Sequence, residues 1–103
     1  MSNPALTLRG IGPSEDARFV IEAGKSGVVG RADGVDLRIA DLRVSSRHAR
    51  LYEHSGQWFV EDLQSKPGTY VNGRLTRGPQ PIHSGDVIRF GGVQFQAEVH
   101  ETA

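Results

Sequence analysis

The sequence contains no cysteine, which excludes a disulfide framework and a thiolate metal site. It also lacks an apolar run long enough for a membrane-spanning helix, and its N-terminus shows no signal-peptide pattern. These absences predict a protein of a reducing compartment. We therefore expect a cytoplasmic protein that does not insert into membranes.

There is no excess of charge of either sign, since 12 basic and 12 acidic residues leave a formal net charge of zero. A nucleic-acid binder usually carries a basic excess, so nucleic acid is not an expected partner. Lysine is scarce as well: among the basic residues only Lys25 and Lys66 are lysine. Arginine is the better bidentate partner for phosphate or carboxylate, because its planar guanidinium matches their oxygens.

The usual signatures of catalysis are missing too. The four histidines, at positions 48, 54, 83 and 100, are scattered and offer no recognised metal-ligand spacing. There is no G-x-S-x-G nucleophile elbow, and no nucleophile, base and cofactor site converge. We expect no enzymatic activity, no metal and no cofactor.

What the sequence does contain is short period-2 alternation between many turn signals. Apolar residues alternate with polar ones in several segments, most cleanly over residues 93–100, which is typical of strands with one buried face. Thirteen glycines in 103 residues suit a turn-dense chain, and no window has convincing helical periodicity. The chain length accommodates one domain. These features predict a single all-β domain over residues 1–103, a sandwich or barrel with a core at about residues 5–100 and frayed termini.

Three polar clusters follow predicted strands and suggest three loops that meet at one end of this β-structure. They are Gly30-Arg31, residues 44–49 and residues 65–73. Hydroxyls, exposed amides and an arginine are the chemistry of anion capture. Simpler explanations exist for each cluster: Arg31 as a solvated strand end, and the third cluster as a loop closed by proline and glycine.

Two features of these clusters are better explained by structure than by ligand contact. His48 begins a strand and is expected to hydrogen-bond neighbouring loops rather than act in catalysis. Asn72-Gly73 is the strongest short turn signal in the chain, because a type I′ turn needs positive φ at both central residues.

Taken in order, these motifs resemble those of the forkhead-associated (FHA) domain family. The matching set is Gly30-Arg31, Ser45-x-x-His48-Ala49, Asp62-Leu63-x-Ser65-x-x-Gly68-Thr69-Tyr70-Val71-Asn72-Gly73 and Gly85-Asp86-Val87-Ile88. Each motif alone is weak, but all four in order at compatible spacing are specific. The resemblance covers nearly the whole chain. It implies a two-sheet β-sandwich of about eleven short strands whose loops at one end bind phosphothreonine peptides.

The resemblance also implies roles for individual residues. Arg31 would be the main phosphate-binding arginine, Ser45 would donate its hydroxyl to the phosphate, and Ser46 would lie where the family also contacts phosphate. The remaining candidates are Arg47 at the rim, Lys66 as a further phosphate contact, and Arg43 as a reader of an acidic residue three positions after the phosphothreonine. Gly30, His48, Gly68, Thr69, Asn72 and Gly73 would hold the loops in shape.

One position departs from the family pattern. Where the family usually has Asn-Gly-Thr, this chain has Pro67-Gly68-Thr69. That asparagine normally hydrogen-bonds the peptide backbone, whereas Pro67 has neither an amide side chain nor a backbone N–H. The hold on the peptide backbone is expected to be weaker or organised differently.

The function expected from the resemblance is recognition of a threonine-phosphorylated protein, without catalysis. The alternative that the sequence leaves open is a phosphate-independent interaction module of the same fold. The preference between phosphothreonine and phosphoserine, and the oligomeric state, are left undetermined by the sequence.

Overall fold

A computed structural model of the chain describes residues 4–100. The predicted fraying of the termini concerns residues 1–3 and 101–103, outside the described residues. Within residues 4–100 there are eleven strands and one turn of 3-10 helix, Gly12–Ser14. The strands are β1 Ala5–Gly10, β2 Arg18–Ile21, β3 Gly27–Gly30, β4 Leu37–Arg38, β5 Ala49–His54, β6 Gln57–Asp62, β7 Thr69–Val71, β8 Arg74–Leu75, β9 Gln80–Ile82, β10 Val87–Phe90 and β11 Val93–His100. The same residues include no helix suited in length and hydrophobicity to a membrane crossing.

The strands form two sheets, so the fold is a sandwich, as the resemblance implies, rather than a closed barrel. The six-stranded sheet has the order β2-β1-β11-β10-β7-β8, and the five-stranded sheet has the order β4-β3-β5-β6-β9. The pairs are antiparallel except β3 with β4, which run parallel with Val29 opposite Leu37. The predicted all-β fold is confirmed.

The alternation in the sequence places one face of each strand in the core between the sheets. In β11, Val93, Phe95 and Ala97 are buried while the intervening glutamines are exposed. The largest fully buried side chains include Trp58, whose indole N–H donates to the carbonyl of Pro4 at 3.0 Å. Pairing the polar N–H in this way removes the cost of burying it.

The Asn72-Gly73 turn forms where the sequence predicts it. Asn72 and Gly73 have φ of 51° and 83° and connect β7 to β8, as a type I′ turn requires. Ser55 and Gly56, also at positive φ, join β5 to β6.

Two details concern where regular structure ends. Ile39 is buried beyond the end of β4 at Arg38. Residues Gly12–Ser14 form a single 3-10 turn, which was not predicted.

The two sheets bring three loops together at one end. The first loop, residues 31–36, joins β3 to β4; the second loop, residues 39–48, joins β4 to β5; the third loop, residues 63–68, joins β6 to β7. The β10–β11 turn at Gly91-Gly92 lies at the same end, because it packs against Arg43 of the second loop. The predicted convergence of the three polar clusters follows from this topology for residues 31, 45–48 and 65–68.

Candidate functional site

Backbone hydrogen bonds fix the first loop to the second. The N–H of Arg31 donates to the carbonyl of Ser45 at 3.0 Å, and that of Ala32 donates to the carbonyl of Ser46 at 3.2 Å. Gly30 makes this approach feasible, since a Cβ at that position would lie 2.1 Å from the Ser46 carbonyl oxygen. A side chain of any size would force the loops apart.

His48 lies behind the loops and joins the second to the third. Its imidazole is fully buried and packs edge-on against Phe90, with ring centroids 5.7 Å apart. Nδ1 accepts the backbone N–H of Ser45 at 3.1 Å, while Nε2 is 2.9 Å from the carbonyl of Gly68. These partners require a proton on Nε2 and a lone pair on Nδ1, which is the neutral imidazole. The geometry is that of a structural histidine.

The carboxylate of Asp62 organises the third loop. It accepts hydrogen bonds from the backbone N–H of Ser65 at 2.9 Å, from the Ser65 hydroxyl, and from the buried Thr69 hydroxyl at 2.7 Å. Ser65 Oγ in turn accepts the N–H of Gly68 at 3.0 Å. This network fixes the shape of the loop. It also engages the backbone N–H groups of Ser65 and Gly68, which are then not available to other acceptors.

Between the loops lies a cavity of about 470 Å³. Its lining combines cationic and hydroxyl groups with apolar side chains: Arg31, Leu42, Arg43, Val44, Ser45, Lys66 and Pro67. The structure thus brings together four of the predicted phosphopeptide-binding residues, Arg31, Arg43, Ser45 and Lys66.

The guanidinium of Arg31 is positioned from one side only. Its Nε donates to the carbonyl of Val44 at 3.0 Å, and the side chain is half-buried. Arginine has five N–H donors, and within residues 4–100 the guanidinium has no other hydrogen bond and no ion pair. Four N–H groups are therefore available to an anion at the cavity.

Ser45 links the second loop to the third through its side chain. Its hydroxyl oxygen accepts the backbone N–H of Lys66 at 3.2 Å. A hydroxyl that accepts one hydrogen bond still has its own O–H to donate. The Lys66 side chain is exposed at the same cavity and adds a positive charge there.

Arg43 is held by Asp41. Its Nε and Nη2 donate to the two carboxylate oxygens at 3.0 and 2.8 Å, and its backbone N–H donates to Oδ1 at 2.8 Å. These side-chain and backbone hydrogen bonds lower the pKa of Asp41 to about 2. The guanidinium lies against Gly92, where a Cβ would come within 2.2 Å of Nη1. The charge of Arg43 is thus already paired at the cavity wall.

The other predicted site residues lie elsewhere. Ser46 and Arg47 are exposed on the second loop and are not part of the cavity lining. Asn72 and Gly73 lie at the far end of β7 from the third loop. There the Asn72 amide donates to Asp86 at 3.0 Å and accepts the N–H of Val87 at 2.9 Å. The hydrogen bonds of Asn72 therefore brace the opposite end of the sheet rather than the three loops.

Sequence reasoning missed Asp41, Leu42 and the role of Asp62. The spacing of Asp41 and Arg43, two residues apart in a loop, was the available signal for the ion pair. Leu42 had none, since nothing local distinguishes a leucine that faces a cavity from one that faces the core.

Comparisons with known proteins agree with this geometry. Residues 27–91 match the sequence model of the FHA domain. An oxoglutarate dehydrogenase inhibitor of Corynebacterium efficiens is 38% identical over 80 residues, covering 78% of this chain and 55% of that protein. The chain spans about half the length of such curated relatives.

Solved structures show the same fold. The FHA domain of a Chlamydia trachomatis protein superposes with a TM-score of 0.84 at 25% identity, covering 91% of this chain and 96% of that one. A structure from a study of phosphothreonine-dependent FHA domain interactions superposes with a TM-score of 0.82 at 28% identity, covering 93% and 97%.

Proposed function

The chain belongs to the FHA domain family, and we propose that it binds a threonine-phosphorylated protein through the cavity between its three loops. The observation that carries this proposal is the half-buried guanidinium of Arg31. One N–H is fixed by the Val44 carbonyl and the others are available beside Ser45 and Lys66. A site prepared in this way suits a compact dianion.

Phosphothreonine has the required chemistry. It carries about −1.5 to −2 charges near neutral pH and three acceptor oxygens. Arg31 supplies paired N–H donors, Ser45 supplies its O–H, and Lys66 supplies a further positive charge. Charge-assisted hydrogen bonds of this kind are about twice as strong as neutral ones. An unphosphorylated threonine would leave the cationic site without an anion, so the site is expected to bind the phosphorylated peptide more tightly than the unphosphorylated one.

The remaining candidates have subsidiary roles in this proposal. Ser46 and Arg47, both exposed on the second loop, approach the phosphate from the rim. Arg43 favours an acidic residue three positions after the phosphothreonine, but it does so in competition with Asp41, which already holds its guanidinium.

The proposed activity is recognition without chemistry. Curated relatives include oxoglutarate dehydrogenase inhibitors and FHA domain-containing proteins, which supports an adaptor or regulatory role. The proposed partner is a substrate of a Ser/Thr kinase in the cytoplasm, where ATP-dependent phosphorylation takes place.

A degenerate phosphothreonine-peptide library tests the proposal, with matched phosphoserine and unphosphorylated libraries beside it. We expect the phosphothreonine library to yield a consensus and the unphosphorylated library to yield none, while the phosphoserine library measures the preference between the two phosphorylated residues. Retention of the unphosphorylated library to the same extent would instead favour the phosphate-independent interaction module. The observation that favours that alternative is Pro67, which lacks the amide with which the family usually holds the peptide.

A further inference from the structure

The side chain of Leu42 is 89% exposed, far more than the other exposed large hydrophobic residues, Ile11, Val20 and Leu75. A singly exposed leucine on a surface needs no explanation. Leu42, however, lines the same cavity as Arg31 and Ser45. An apolar side chain at the wall of an anion site offers an apolar contact to the part of a ligand that lies beside the anion.

The third loop borders this cavity, and none of its residues 65–68 has a free backbone N–H group. The N–H of Ser65 donates to Asp62, that of Lys66 to the Ser45 hydroxyl, and that of Gly68 to the Ser65 hydroxyl. Pro67 has no N–H to donate. Within this stretch the backbone of the loop therefore cannot donate a hydrogen bond to a bound peptide.

What Pro67 offers instead is an apolar ring on the cavity lining, shared with Leu42 and the buried Val44. The cavity thus has a cationic part, formed by Arg31 and Lys66, and an apolar part, formed by Leu42 and Pro67. Burial of apolar surface on binding favours the complex. A peptide side chain that covers both residues would supply the affinity that the missing amide does not.

We propose that Leu42 and Pro67 form an apolar clasp that selects phosphothreonine peptides with a large apolar residue beside the phosphothreonine. The proposal rests on the proposed function and adds to it the class of peptide that this chain recognises. Both parts belong to one cavity of about 470 Å³, so the residues next to the phosphothreonine are the ones placed to reach the apolar part. A flanking residue is therefore the one that the clasp contacts.

The test starts from one phosphothreonine peptide with alanine on both sides of the phosphothreonine. In its variants, leucine or serine replaces the alanine directly before or the alanine directly after the phosphothreonine. Binding of each peptide to the whole chain is measured by fluorescence anisotropy. We expect leucine at one flanking position to bind about tenfold tighter than serine, equivalent to about 1.4 kcal/mol. The L42S variant should reduce this ratio to about twofold or less.

Two controls separate the clasp from the phosphate site. The leucine-to-serine ratio is taken within each protein, so a general change in the affinity of L42S for the phosphopeptide does not enter the comparison. V20S, which removes an exposed apolar side chain from β2, should keep the tenfold preference. A wild-type protein that binds the phosphopeptide without any preference for leucine, or a preference that persists in L42S, would overturn the clasp alone. Equal binding of the alanine-flanked peptide with and without its phosphate would overturn the proposed function instead.

Discussion

The hydroxyl of Ser45 accepts the backbone N–H of Lys66 at 3.2 Å and so joins the second loop to the third. Because this hydrogen bond uses only a lone pair of the oxygen, the O–H of Ser45 remains available to donate to another acceptor. One side chain at the cavity therefore joins two loops and keeps a donor free.

Replacing Ser45 with alanine should weaken phosphopeptide binding about tenfold or more. The variant loses a hydrogen bond to a charged group, worth about 1.5–3 kcal/mol, and leaves the Lys66 N–H without its partner. Isothermal titration calorimetry with one phosphothreonine peptide measures the change. S26A, which alters an exposed serine outside the cavity, should bind as the wild type does, and an equal loss in both variants would argue against a specific role for Ser45.

Replacing Gly30 with alanine should lower the free energy of unfolding by about 1–3 kcal/mol, the usual cost of overpacking. Its Cβ would meet the backbone of Ser46 at 2.1 Å, and backbone cannot move aside as a side chain can. Urea denaturation measures the loss. The matched variant G27A meets the end of the Leu37 side chain at 2.8 Å and should lose less; equal losses would show that the contact between the loops does not matter.

Replacing Pro67 with asparagine should raise affinity for an alanine-flanked phosphothreonine peptide by about three- to tenfold. The new amide can hydrogen-bond the peptide backbone, and such a bond contributes about 0.5–1.5 kcal/mol. Surface plasmon resonance with wild type and P67N gives the ratio. P79N, at an exposed proline outside the cavity, controls for the change of residue type. Unchanged or weaker binding by P67N would mean that the third loop does not contact the peptide backbone.

Replacing Asp41 with asparagine should increase the preference for aspartate over alanine three positions after the phosphothreonine by about threefold. Arg43 then no longer shares its charge with Asp41, and exposed ion pairs are worth about 0.2–1 kcal/mol. Paired peptides on an array give the ratio, and R43Q should show no preference in either background. Equal binding of aspartate and alanine peptides by wild type and D41N would exclude Arg43 as a reader of this position.

The Asp41–Arg43 ion pair itself does not change with pH above about pH 4. Hydrogen bonds from Arg43 lower the pKa of Asp41 from 3.8 to about 2. A depressed pKa means that the pair stabilises the folded state fully above about pH 4, and that this contribution is lost as the pH falls through about 2. Between pH 5 and 7 the second ionisation of the phosphate, near pH 6, is expected to raise the affinity, because it adds negative charge to the ligand.

The sequence predicted the strands well where alternation was clean. Residues 93–100 read as a strand because Val93, Phe95 and Ala97 needed a buried face, and that is what they have in β11. The pairing of β1 with β11, at opposite ends of the chain, follows only from the closure of the whole sandwich. No local pattern encodes this pairing, so it was not predicted.

The residues of the candidate site that belong to sequence motifs could be predicted, and the others could not. The motif residues Arg31, Ser45 and Lys66 come together at the cavity as expected. Leu42 and Asp41 were not predicted, because their roles depend on what faces them across the second loop. The turn at Asn72 was predicted correctly as a turn, but sequence alone could not show that β7 carries it away from the loops.

The most direct test of the account is calorimetric titration of one phosphothreonine peptide and its unphosphorylated counterpart against wild type and R31A. The account predicts that the wild type binds the phosphopeptide at least about thirtyfold tighter than its counterpart. R31A should lose about 2–5 kcal/mol of binding while its circular dichroism spectrum stays that of the wild type. Wild-type affinity in a folded R31A variant, or equal binding of the two peptides by the wild type, would contradict the account.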